Sequence, residues 1–283
     1  MAESKVVDPT PRSQEDLPFQ HYSVRHRVVA WISANLFDGL TYTVHHGLLK
    51  GMRRKGGLGW IPVRSGGDLT PEHKFWEELN LAGQTVYDVG SFQGLLALFF
   101  ASRAKQVICF EPNTKNNKRL TENIALNGIQ NVKIFKLGVG SKSETLKMVS
   151  DPLMPGGSSV DPKMADQIAH STSAVSEEIS IVTLDEEITK AQLPRPDFIK
   201  IDIEGFELQA LQGACQTLAL SKPALFLEMH GDTVREKKRK VAEIVAFLWD
   251  VNYRSIRHIE SGTMITPETS DVAMEGHLYC QSA

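Results

Sequence analysis

Cysteine is scarce: three residues in 283, Cys109, Cys215 and Cys280, odd in number and without C-x-x-C spacing. That excludes a disulfide frame and a cysteine-ligated zinc site, and fits reduced thiols in a cytoplasmic protein. Long apolar runs are missing too. No stretch approaches the roughly 18 consecutive apolar residues of a membrane span. Residues 1–20, with Pro9, Pro11 and Pro18, lack the apolar core of a signal peptide and read as a disordered tail. Charge of one sign is lacking as well. The net charge is −3, so nothing in the overall balance calls for nucleic acid. Hydrophobic residues at 41% and charged residues at 23% are those of an ordinary globular protein. The length allows one large domain, or one domain plus an extension.

What is present centres on Gln84 to Phe100. This stretch opens with the β-formers Val86, Tyr87 and Val89, breaks at a glycine loop and resumes as an apolar segment of helical length. Asp88, Gly90 and Gly94 stand in D-x-G-x-x-x-G spacing. Gly90 can take a positive φ and let backbone approach a ligand closely. Free amides at the next helix start would favour a negative group. A glycine loop by itself is equally a plain turn; the context decides. Val107-Ile-Cys-Phe-Glu111 is a second apolar run, and its carboxylate falls 21 residues after Gly90. Doubly wound nucleotide-binding folds place the acid that holds ribose hydroxyls there. A nucleoside-bearing ligand follows. The dinucleotide fingerprint G-x-G-x-x-G is absent, because Phe92 stands where its second glycine would be and Gln93 follows. A pyrophosphate would meet bulk there. The pattern therefore favours S-adenosyl-L-methionine over a nicotinamide dinucleotide.

Before this centre, apolar spacings of three, four and seven from His21 to Leu49 argue for one or two amphipathic helices. Between His21 and Arg64 there are seven Lys/Arg (25, 27, 50, 53, 54, 55 and 64) against one acid, Asp38. Residues 48–64 are thus a candidate for peripheral contact with an acidic membrane or an anionic substrate, or simply a solvated cap. Thr70 and Pro71 signal a helix start. Beyond Glu111, a helix is expected over 114–127, a strand over Val132–Val139 and another from Glu144. Residues 150–178, with two Asp-Pro pairs and a Pro155-Gly-Gly run, read as a long loop, either substrate-contacting or mobile. Ile179–Leu184, Asp197–Ile203 and Ala224–Met229 are further strands. Glu207–Leu218 and Thr233–Asp250 are helices, and Tyr253–Ile259 and Gly276–Cys280 are closing strands. Strand and helix alternate from 85 to 250, the mark of an α/β fold. We expect a doubly wound, mostly parallel, seven-stranded Rossmann-like sheet with helices on both faces and an antiparallel closing strand. A helical, basic extension over 21–75 would precede a core domain over 76–283.

Open α/β sheets bind ligands beyond the carboxyl ends of their strands. Here those ends carry Asp88/Gly90, Glu111, Asp202/Glu204 and Glu228/His230. Four stretches occur in order: Asp88-Val-Gly-Ser-Phe-Gln-Gly94, Phe110-Glu-Pro-Asn113, Thr183-Leu-Asp185 and Lys200-Ile-Asp-Ile-Glu-Gly-Phe-Glu207. Together they resemble the FkbM-type S-adenosylmethionine-dependent methyltransferases of the class I superfamily, over about residues 80–232. The last stretch is the most specific. Ser91-Phe92 replaces the Ala-Asn usual in that family.

The resemblance implies that Gly90 and its neighbours Asp88, Ser91, Phe92 and Gly94 lie along the methionine part of the cofactor. Glu111, with Pro112 and Asn113, would serve the ribose. Leu137 and Gly138 would border the adenine. Asp202 and Glu204 would sit near the sulfonium and the acceptor, although a carboxylate pair at a helix start is also just favourable to the dipole. The reaction would be in-line attack by an acceptor oxygen, with alignment as the main work and a base as a further aid. Glu204, His230 and Asp202 are the candidates for that base; His230 is equally a core or capping residue. Asp202, Glu228 and His230 would also make an oxygen/nitrogen metal site, but that spacing is not diagnostic and no metal is assigned. An Asn-Pro-Pro-Tyr motif of amino-group methylation is absent. That tilts toward O-methylation of a sugar, glycan or secondary metabolite. An oxidoreductase conflicts with Phe92. A catalytically inactive cofactor-binding module acting through the basic segment is the remaining alternative.

Overall fold

The computed structural model describes residues 39–56, 70–151, 158–160, 169, 174–231 and 233–283. The expected tail over 1–20, residues 21–38 of the helical stretch expected over 21–49, and residues 57–69 lie outside the described residues; over 39–49 that expectation is corrected, because the chain forms strand and turns there instead of helix. Within 39–56 the backbone is a short antiparallel hairpin, Thr41–Thr43 (β1) against Arg53–Lys55 (β2). Pro71–Glu78 (α1) follows, and Thr70 Oγ1 accepts from the His73 N–H at 3.1 Å, capping its first turn.

The core then runs Thr85–Val89 (β3), Leu95–Ala101 (α2), Gln106–Phe110 (β4), Thr114–Leu126 (α3) and Val132–Phe135 (β5). Gly138–Val139 (β6), Glu144–Ser150 (β7), Ser158–Ser159 (β8), Val175–Val182 (β9) and Leu184–Lys190 (α4) come next. Phe198–Ile201 (β10), Glu207–Gln212 (α5), Cys215–Ser221 (α6), Ala224–Glu228 (β11) and Val234–Asp250 (α7) continue the chain. Tyr253–His258 (β12) and His277–Ser282 (β13) close it. The main sheet has seven strands in the order β12-β13-β11-β10-β3-β4-β5. From β11 to β5 the pairs are parallel, and β13 runs antiparallel to both its neighbours.

Every residue of β3 and β10 is buried, because helices cover both faces of a parallel sheet. Alternate side chains feed separate cores. Val86, Val107 and Phe226 pack with α1, α2 and α3, whereas Tyr87, Ile108 and Leu225 pack with α4 to α7. Trp76 anchors the first of these. Its ring lies 4.2 Å from Phe226 and 5.6 Å from Phe100, and its indole N–H reaches Glu72 Oε1 at 3.0 Å. Trp76→Ala is expected to cost about 3–5 kcal/mol of stability by leaving a cavity among these rings, measured by denaturant unfolding.

Three further expectations need correcting. The strand over Val132–Val139 splits: β5 stays in the main sheet, and β6 leaves to pair in parallel with β9. Gly138 permits this, since a Cβ there would stand 2.5 Å from Ile181 Cδ1. Residues 150–178 are not one loop. β9 begins at Val175 and pairs with β7 along its whole length, while β8 pairs with the far end of β7. The result is a second, four-stranded sheet in the order β6-β9-β7-β8. β9 stops at Val182, and Thr183 caps α4 by accepting from the Glu186 N–H at 3.1 Å. Finally, the helix expected over Glu207–Leu218 breaks into α5 and α6 at Gly213. A Cβ there would meet the Gly140 carbonyl oxygen at 1.9 Å.

The hairpin is tied to the core by two asparagines, Asn123 of α3 and Asn127 at its C-cap. Asn127 accepts from the Arg53 N–H at 2.8 Å and donates to the Arg53 carbonyl at 2.7 Å. Asn123, fully buried, accepts from the Lys55 N–H at 2.7 Å and donates to the Gln93 carbonyl at 2.9 Å. Lys55 also pairs with Glu122 at 3.1 Å. The described part of the basic segment is therefore docked on α3.

Candidate active site

The chain turns from β3 to β4 on one side and later returns to β10 on the other, so the crevice of a doubly wound sheet opens at the carboxyl ends of these strands. Gly90 sits there at φ +78°, and a Cβ on it would lie 1.8 Å from the Asp202 carbonyl oxygen. The loop amides of Gly90, Ser91 and Phe92 are spent internally. The Gly90 and Ser91 N–H groups donate to the Phe110 carbonyl at 2.9 and 3.2 Å. Phe92, in the left-handed region at φ +48°, donates to Glu111 Oε2 at 2.8 Å. The Asn113 N–H holds Glu111 Oε1 at 2.9 Å. Burial pushes the Glu111 carboxyl up to about 7, against these two backbone donors.

A cavity of about 390 Å³ lies over these strand ends. Of the residues expected at the site, Gly90, Phe92, Glu111, Pro112, Gly138, Asp202 and Glu204 line it. The small sheet forms its other wall through Met148, Ser159, Ile179 and Ile181. Asp88, Ser91, Gly94, Asn113, Leu137 and His230 stand behind the lining. Ser91 Oγ donates to the Asp88 carbonyl at 2.7 Å, and Gly94 takes the N-cap of α2 in the left-handed region. Asn113 caps α3 through Asn116 N–H at 2.9 Å, and Leu137 packs against the main core.

Lys200 holds the two halves together. In β10, directly opposite Asp88 of β3, its Nζ lies 3.4 Å from Asp88 Oδ1 and 3.2 Å from Asp202 Oδ2. It also donates to the Gly90 carbonyl at 2.7 Å. Burial alone would discharge this ammonium; Asp202 and Asp88 outweigh it and raise its pKa. Burial raises the Asp88 pKa, with Lys200 opposing, whereas Asp202 falls below the ordinary range because Lys200 and His230 overcome its burial.

After β10 the chain turns sharply, with Glu204 at φ +53° and Gly205 at φ +97°. Ser159 Oγ donates to the Glu204 carbonyl at 2.9 Å, fastening the small sheet to this turn. His230 follows β11. Its Nδ1 lies 2.9 Å from Glu207 Oε1, which also accepts the Gly205 N–H at 2.9 Å. Its Nε2 faces Glu204, Glu228 and Asp202 oxygens at 3.4, 3.6 and 3.7 Å. Burial disfavours the imidazolium, but Glu207, Glu204 and Asp202 together push the His230 pKa up to about 10. Burial, reinforced by Asp202 and Glu228 against His230, pushes Glu204 up to about 8.

Residues 88–255 match the family model described as the Methyltransferase FkbM domain. The chain belongs to the FkbM methyltransferase family. It is 30% identical over 146 residues to the hexuronic acid methyltransferase AglP of Haloferax volcanii, covering 51% of this chain and 55% of that protein. It is 26% identical over 153 residues to the methyltransferase sdnD of Sordaria araneosa, covering 45% and 59%. The crystal structure of methyltransferase FkbM from Methylobacillus flagellatus aligns with a TM-score of 0.46 at 19% identity, covering 74% of this chain and 50% of that one. The chain thus spans little more than half the length of the curated relatives it matches. Membership does not favour the inactive-module reading. Among the described residues no helix is long and apolar enough to cross a membrane.

In this FkbM-family chain, the raised pKa of His230 bears on its expected role. An imidazolium near neutral pH donates from both nitrogens and has no lone pair for a substrate proton. Asp202, Glu228 and His230 do place donor atoms within 4.8 Å of one another, but a metal would have to displace the proton that the carboxylates keep on the ring. Glu204 regains basicity as pH passes about 8. Residues unassigned by the sequence reading complete the array. Glu207 clamps His230, and His277 lies with Nδ1 2.6 Å from Glu260 and Nε2 3.7 Å from Glu228. Lys200 was visible as an ionisable residue inside an apolar strand, a signal of a buried ion pair. The contacts of His277 and Glu260 carry no local signal.

Proposed function

We propose that this chain transfers a methyl group from S-adenosylmethionine to a hydroxyl oxygen of a small-molecule or glycan acceptor. The observation that carries the reading is the single cavity wall formed by Glu111, Gly90, Asp202 and Glu204 at the crevice of the sheet. The donor set suits the cofactor. Glu111 offers a carboxylate to ribose hydroxyls, and Gly90 leaves backbone bare where a side chain would intrude. Asp202, ionised beside Lys200, would face a cation. When bound, the cofactor supplies an activated methyl on a positively charged sulfur.

The chain's own residues then align and deprotonate. The Glu204 turn and Ser159 fix the acceptor side, and the small sheet's apolar wall keeps water out. Glu204, in its ionised form offset by the His230 cation that Glu207 holds, takes the hydroxyl proton and becomes neutral as the acceptor oxygen bonds to the methyl and the cofactor sulfur leaves as a neutral thioether. The rate should therefore rise with pH through about 8, as Glu204 loses its proton, and fall again as His230 loses its own near 10. Glu204→Gln should remove the rising limb and lower the rate by about 10²–10⁴-fold. The test is transfer of isotopic label from the cofactor methyl into hydroxylated acceptors, followed across pH. Label that survives mild alkali marks an ether. Label released by alkali marks a carboxyl ester and contradicts hydroxyl methylation.

A further inference from the structure

We infer that the acceptor is a hydroxyl compound free of acidic groups, with a neutral or amine-bearing edge and one apolar face. This rests on the methyltransferase reading above and goes beyond it to the acceptor's charge. Among the described residues, the ionisable groups lining the cavity are Glu111, Asp202, Glu204 and Glu228, all carboxylic acids, with no Lys, Arg or His. The neighbouring cations are already engaged. Lys200 is only 3% exposed and pairs with Asp88 and Asp202. His230 is clamped by Glu207, and His277 by Glu260.

Such a lining accepts hydrogen bonds and attracts ammonium groups; to a carboxylate or a phosphate it offers neutral donors such as Asn116 and Ser158 but, among the described residues, no cation. Glu111 is assigned to the ribose and Asp202 to the sulfonium, which leaves Glu204 and Glu228 for the acceptor. Both already share His230 with Asp202 and Glu207, so a further negative charge would meet more acids than the cation they share can offset. Opposite them, Met148, Ile179 and Ile181 give an apolar wall. A sugar ring or a hydroxylated metabolite presents both kinds of face; a uronate does not match the acidic one. This chain should thus differ in acceptor charge from a hexuronic acid methyltransferase, despite the partial relationship.

The experiment uses two charge-matched sets. One holds the methyl glycosides of a hexose, the corresponding 2-amino sugar and the corresponding hexuronate. The other holds an alkyl alcohol, an amino alcohol and a hydroxy acid of equal length. Each is offered to the full chain with methyl-labelled cofactor. Alkali-stable label should enter neutral and amine members with kcat/KM at least tenfold above the acids. Glu228→Lys should narrow or invert that ratio, and the isosteric Glu228→Gln gives the same direction if the lysine variant does not fold. Equal or better use of the acids overturns the inference, as does label in no member while S-adenosylhomocysteine binds. Failure of S-adenosylhomocysteine to bind overturns instead the reading beneath it.

Discussion

Gly90→Ala should abolish cofactor binding and lower stability by roughly 2–6 kcal/mol. Two costs add. A residue with a Cβ held in the left-handed region costs about 1–3 kcal/mol. Forcing that Cβ against packed backbone costs about 1–3 kcal/mol more. The obstacle is the Asp202 carbonyl oxygen, 1.8 Å from the Cβ position, and a peptide group of β10's end cannot rotate away as a side chain would. Relief requires the strands to separate where the cavity floor is made, so binding falls with stability. Gly94→Ala is the comparison. Its φ is also positive, at +87°, but the obstacle is Leu120 Cδ1 at 2.6 Å, the tip of a flexible side chain. It should lose less stability and retain measurable binding. Denaturant unfolding and titration of the two variants side by side check this.

Lys200→Met is the second large effect, expected at about 3–5 kcal/mol, the range for removing one partner of a buried pair. Asp88 is fully buried, and neither carboxylate oxygen accepts a well-formed hydrogen bond. Lys200 at 3.4 Å is the cation that compensates it. Two controls separate this from lost packing. Asp88→Asn in the Lys200→Met background should recover a large part of the loss, since the uncompensated charge is gone. The loss should also shrink with falling pH. Burial raises the Asp88 pKa, so at low pH the folded state already holds that proton and has no charge to compensate. A deficit that is independent of pH, with no rescue by Asp88→Asn, would identify Lys200 as packing alone.

The elements that carry the site were legible because parallel strands buried on both faces read as apolar runs, and because such sheets put ligands at their carboxyl ends. Asp88, Glu111 and Asp202 could therefore be aligned across β3, β4 and β10 before any coordinates. The second sheet was not legible. β9 reads Val-Ser-Glu-Glu-Ile-Ser-Ile-Val and is buried on only two positions, so its first half looks like solvated loop. What makes it a strand is β7, more than 20 residues earlier in the chain. The split after Phe135 has the same origin: Gly138 is an interruption in sequence and a close contact with Ile181 in space. Protonation was the other blind spot. A histidine ordinarily has the pKa of a base, and only the convergence of Glu207 at the start of α5 with Glu204 and Asp202 just past β10 raises that of His230.

The central claim is that these strand ends form one S-adenosylmethionine site. Calorimetric titration of the wild-type chain with S-adenosylhomocysteine, with a nicotinamide dinucleotide in parallel, tests it most directly. Micromolar binding of the sulfur ligand only, weakened at least tenfold by Glu111→Ala, is the expected result. No binding, or binding indifferent to Glu111, would contradict it.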